Sequence, residues 1–106
     1  MKFGLVEDFR NPPQWQRPYP ELYQGLLDQI AHVEDLGYDN IWLTEHHFTE
    51  DGYNPSLFPT AAAIAARTQR IRIGTFIVLL PFQHPVRVAE DATSVDIFSN
   101  GRFDLG

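Results

Sequence analysis

The chain contains no cysteine, which excludes a disulfide scaffold, a zinc–thiolate centre and a thiol nucleophile. No segment approaches the ~20 consecutive apolar residues of a membrane span, so no membrane association is expected. The apolar run at the N-terminus, Phe3 to Val6, is too short for a signal peptide and turns acidic at Glu7 and Asp8, which makes a cytoplasmic location the expectation. There is no basic block, and the net charge is −6, so no nucleic-acid partner is expected. Neither GxGxxG nor a P-loop follows the first apolar run, so a Rossmann dinucleotide site is not supported. Repeats and low-complexity segments are absent as well. What is present is ordinary for a globular protein: 106 residues, 43% hydrophobic and 21% charged, enough for one domain with a real core.

Phe3 to Val6 is expected to be a buried strand. The following FRNPPQWQRPYP contains Pro12, Pro13, Pro18 and Pro20, which fix φ and remove donors, so it reads as a stiff loop that walls a pocket or is anchored on the surface by Trp15. Pro20 to Leu36 reads as a helix whose apolar face is Tyr23, Leu26, Leu27, Ile30 and Val33, with Gly37 in the left-handed position after it. Asn40 to Thr44 is the second strand. Asp51-Gly52 and Asn54-Pro55 mark turns, and the alanine-rich Pro59 to Thr68 is a second helix able to pack closely. Arg70 to Leu80 becomes continuously apolar, the pattern of a strand buried on both faces, and Gly74 within it signals a bulge or a close approach. His84-Pro85 opens a third helix with Val88, Ala92, Val95 and Phe98 as its stripe. Arg102 to Gly106 begins a fourth strand. The order β-α-β-α-β-α-β predicts parallel strands with right-handed crossovers, in either a barrel or a flavodoxin-like sheet.

The chemistry-bearing stretch is Gly37 to Tyr53, where the second strand breaks into Glu45-His46-His47. Acid and imidazole groups at a strand end are typical of α/β active sites. Side chains alternate along a strand, so His46 and His47 should point to different faces. Glu45, His46, His47 and His84 as metal ligands is the rival reading, but neither HxH nor HExxH spacing is present. For His84 the competing role is opening a helix, for Asp104 ordinary solvation, for His47 a structural hydrogen bond.

The segments GYDNIWLTEHHFTEDGYNPS and AARTQRIRIGTFIVLLPFQHPVRVAEDATSVDIFSNGRFDLG resemble the N-terminal part of the bacterial luciferase-like flavin monooxygenase family. EHHF, RIRIGT, HPVRVAED and GRFDLG occur in that family's order and spacing, and the similarity covers essentially the whole chain. The resemblance implies a (βα)8 TIM barrel with its site at the C-terminal strand ends, residues 1–106 forming about four βα units of it, truncated at the C-terminal end. It implies reduced FMN from a separate flavin reductase, O2, and a small organic substrate such as an aldehyde. A deazaflavin coenzyme, or flavin binding without turnover, are the family's alternatives. It places His46 at the reaction centre as the acid/base group, with Glu45 orienting it or lining the flavin site. Thr75, Phe76 and Ile77 are implied beside the flavin ring, with a non-proline cis peptide at Phe76-Ile77. It also implies a homo- or heterodimer through the second and third helices. Because later strands supply the family's phosphate site, these 106 residues alone are expected neither to bind FMN tightly nor to turn over.

Overall fold

A computed structural model describes residues 1–106. The elements are β1 (Gly4–Glu7), α1 (Tyr19–Asp35), β2 (Asn40–Leu43), α2 (Leu57–Arg67), β3 (Arg72–Thr75), α3 (Pro85–Ser99) and β4 (Phe103–Asp104), with 3-10 turns at Pro13–Trp15 and Leu80–Phe82. All pairings are parallel and the sheet order is β1-β2-β3-β4. Sequential order without a reversal has no topological switch point, which separates it from a flavodoxin-like sheet and matches the wall of a barrel.

The register sorts the strand side chains into two faces. Leu5, Ile41, Ile73 and Phe103 stand side by side on one face, and Leu43 follows on the same side. With α1, α2 and α3 they build one hydrophobic core that includes Leu27, Ile30, Val33, Ala61, Ile64 and Val95. On the other face the rows are Gly4–Asn40–Arg72 and Val6–Trp42–Gly74–Asp104. That face carries no helix. Arg72 and Asp104 pair across it in a fork, with Nε to Oδ2 at 2.8 Å and Nη2 to Oδ1 at 2.5 Å.

Several expectations are corrected. The third strand ends at Thr75 instead of reaching Leu80. β2 stops at Leu43, whose carbonyl takes the Phe76 N–H at 2.7 Å, and beyond this there is no partner edge for a ladder. Phe76 is 64% exposed and Ile77 and Leu80 are also exposed, so within this apolar run only Val78 enters the core. Gly74 marks a close approach without a bulge: the Trp42 indole lies on it, and a Cβ there would meet Cζ3 at 2.2 Å. The first strand is half-buried: Leu5 packs against the core and Val6 stands exposed on the helix-free face. Trp15 is 78% exposed and anchors nothing; buried Phe9 and Asn11 hold that loop, the Asn11 amide reaching the Arg17 carbonyl at 2.8 Å. Phe98 is 69% exposed, and Ser99 takes its place among the buried residues of α3. In α1 the buried stripe includes Leu22, and Gly37 ends the helix with φ +92°.

The end of the sheet where strands start is stitched by two charged side chains. Arg102 donates to the carbonyls of Ala65, Thr68, Ile71 and Ser99 and to the Thr68 hydroxyl, satisfying the last turns of α2 and α3. Its pKa is lowered by desolvation, which the charge of Glu34 partly offsets. Glu34, on α1, accepts the backbone N–H groups of Gln69, Arg70 and Ile71 just before β3. Desolvation would raise its pKa, but these three donors together outweigh it and the net shift is downward.

Replacing Arg102 by Met should lower unfolding stability by about 2–3 kcal/mol in a urea titration, because it strands several carbonyls, and Lys should not restore it. Glu34 binds its proton more weakly folded than unfolded. Its contribution is therefore complete above the unfolded pKa and disappears as pH falls through the lower folded value. Glu34→Gln should flatten that part of the acid limb below pH 4.5 in a series of melts, and an unchanged limb would refute the assignment.

Candidate active site

Because the strands are parallel, their C-terminal ends share one rim, and the loops after β1, β2 and β3 meet there. Asn54 joins two of them: its N–H donates to the Asp8 carbonyl at 3.0 Å, and its own carbonyl accepts the His46 N–H at 3.2 Å. Asn11 repeats the link by donating to the Asp51 carbonyl at 2.8 Å. Arg10 adds an ion pair to buried Asp51 at 2.5 Å, and this hydrogen bond from the guanidinium holds the carboxyl below its usual range. Glu7, at the end of β1, is shifted upward by burial, which hydrogen bonds from the Phe9 and Asp8 N–H groups partly counter.

His46 and His47 diverge. His46 is exposed at the rim, and its ring meets Tyr53 edge-on, with centroids 5.7 Å apart. Its main chain is hydrogen-bonded and its imidazole is left to face the rim. His47 turns to the other side, where Nε2 lies 2.6 Å from Glu45 Oε1 and the ring packs edge-on against Phe82 at 4.9 Å. The Glu45 side chain is 2% exposed, and its second oxygen accepts the Leu79 N–H at 3.2 Å. Glu45 therefore pairs with His47 and the Leu79 amide, and no hydrogen bond joins it to His46. A carboxylate this deeply buried requires partners on both oxygens, and His47 and the Leu79 amide are the ones within reach.

Phe76 and Ile77 are joined by a cis peptide bond. With Val6 and Trp42, Phe76 lines an apolar cavity of ≈ 330 Å³ on the helix-free face of the sheet. Thr75 lies apart from it, fully buried on the helix side, exchanging hydrogen bonds with Gly106: Oγ1 accepts the N–H at 2.9 Å and donates to the carbonyl at 3.2 Å. His84 opens α3, its Nδ1 accepting the Val86 N–H at 3.3 Å. No three His, Asp or Glu side chains converge on one point.

Tyr53, Arg10 and Asp51 were not singled out from the sequence, since an irregular loop has no periodicity to reveal which side chains turn inward. Val6 and Trp42 carried a readable signal: they alternate with Leu5, Ile41 and Leu43 and so belong to the opposite face.

This architecture has known counterparts. The family model for luciferase-like monooxygenases matches residues 1–106. The alkanal monooxygenase alpha chain of Aliivibrio fischeri is 45% identical over 107 residues, covering all of this chain and 29% of that protein. The oxygenase component of the flavin-dependent trigonelline monooxygenase of Acinetobacter baylyi is 35% identical over 106 residues, with the same coverage. The crystal structure of the monooxygenase RslO1 from Streptomyces bottropensis superposes with a TM-score of 0.90 at 34% identity, covering all of this chain and 32% of that one. The chain thus spans just under a third of the length of the proteins it matches, as about four βα units of a (βα)8 barrel. It belongs to the luciferase-like monooxygenase family.

Proposed function

We propose that this protein is a flavin-dependent monooxygenase that uses reduced FMN and O2 on a small apolar carbonyl compound such as an aldehyde, with His46 as its acid/base group. The observation that carries this reading is an exposed imidazole at the C-terminal end of β2, on the same rim as an apolar cavity lined by Val6, Trp42 and Phe76. Such a lining suits a flat, largely hydrophobic ring system. When bound, reduced flavin supplies two electrons for O2, so that one oxygen atom enters the substrate and the other leaves as water. Phe76 and Ile77 are the residues assigned to the ring. Glu45 acts from behind by holding the Leu79 amide, and Thr75 by fixing the end of β3. His46 donates or accepts a proton at an imidazole nitrogen, which can serve as either donor or acceptor.

The Acinetobacter baylyi relative is named as an oxygenase component, which supports a separate reductase as the source of reduced flavin. A groove between α2 and α3, lined by Phe58, Ala62, Val95 and Phe98 among others, supports dimerisation through these helices, with a like or a related subunit.

In the full-length protein, His46→Ala should reduce aldehyde-dependent oxygen consumption by about 10²-fold or more while flavin binding persists. Unchanged turnover would remove His46 from the mechanism. Flavin binding with no oxygen consumption in the unaltered protein would favour a non-catalytic flavin carrier, and a deazaflavin spectrum would replace FMN as the coenzyme. Phe98→Asp should shift sedimentation toward the monomer; an unaltered profile would argue against the α2–α3 interface.

A further inference from the structure

We infer that Tyr53 is the positioning residue for His46: it fixes the plane in which the imidazole presents its nitrogens to the rim. This rests on the assignment of His46 made above. The His46 ring has one aromatic neighbour, the Tyr53 ring, which it meets at 5.7 Å and 65°. Such an edge contact restricts rotation about the imidazole's side-chain torsions, and geometry of this kind decides whether a proton transfer is productive.

Tyr53 can serve as a reference surface because it is itself held from three directions. Its hydroxyl shares a 2.7 Å hydrogen bond with Thr44 Oγ1, at the end of β2. Its N–H donates to Thr49 Oγ1 at 3.1 Å. The Arg10 guanidinium stands 5.7 Å from its ring centroid, in cation–π range, and is in turn paired with Asp51. A side chain from the β1 loop and one from the end of β2 therefore converge on the phenol, while one from the β2–α2 loop holds its backbone. Thr44 continues the alternation Asn40, Trp42, Thr44, so the phenol is tethered on the same face as the apolar cavity.

The test is a double-mutant cycle on the full-length protein, combined with the proton spectrum of the His46 ring. Tyr53→Leu removes the edge contact and the tether, Tyr53→Phe keeps the ring, and thermal melts of both confirm folding. Tyr53→Leu should lower kcat by about 10–100-fold, Tyr53→Phe by much less, and in a His46→Ala background Tyr53→Leu should cost nothing further. The His46 Cε1–H resonance should lose its ring-current shift in Tyr53→Leu and keep most of it in Tyr53→Phe. Equal losses with and without His46, or an unmoved resonance in Tyr53→Leu, would overturn the inference and leave the assignment of His46 standing. If His46→Ala itself has no effect on turnover, the acid/base reading fails, while the resonance still reports whether Tyr53 orders the ring.

Discussion

Parallel pairing is the constraint from which the rest follows. A parallel strand cannot be reached by a hairpin, so each pair requires a helix to carry the chain back, and every strand then leaves the sheet on the same side. Here that places Asp8 and Arg10, then Glu45 to Asn54, then Phe76 to Phe82, on one rim, although more than 60 residues of chain separate the first from the last. The rim is further fixed by bonds between loops that leave different strands: Asn54 to Asp8, Asn11 to Asp51, Leu79 to Glu45. Each depends on register. A slip of one residue in β2 would send Trp42 into the helix layer and Leu43 toward the cavity, and none of these bonds would survive.

The stitching residues and the candidate site lie at opposite ends of the sheet. Where strands begin, Arg102 and Glu34 gather helix-end carbonyls and loop N–H groups, and these bonds have no need of adaptability. Where strands end, the side chains are held by aromatic edges and short ion pairs, and the His46 imidazole remains exposed.

Much of this was legible in the chain because it rests on local chemistry. Periodicity set the three helices to within a few residues, and His84-Pro85 gave the start of α3. The divergence of His46 and His47 followed from the alternation of side chains along a strand. What was not legible was decided at a distance. Phe76 to Leu80 has the composition of a buried strand, but β2 ends first and leaves it without a partner on that side, and Val78 finds its backbone acceptor at Gly106. Glu45 is adjacent to His46 in sequence, yet its burial required the Leu79 amide, 34 residues away, and the ring of His47. Trp15 is large enough to anchor a loop, but the smaller Asn11 had the hydrogen bonds to do so.

The indole of Trp42 resting on Gly74 has a consequence for how the cavity is inherited. Gly74 does not line the apolar space, whose walls are Val6, Trp42 and Phe76. Yet the depth of that space is set by the absence of a methyl group beneath the indole, because the ring sinks to the backbone of β3 only where nothing projects. Any larger residue at this position would raise the floor and leave every wall residue unchanged. The shape of this space is therefore governed from the neighbouring strand, by a position that is not one of its walls.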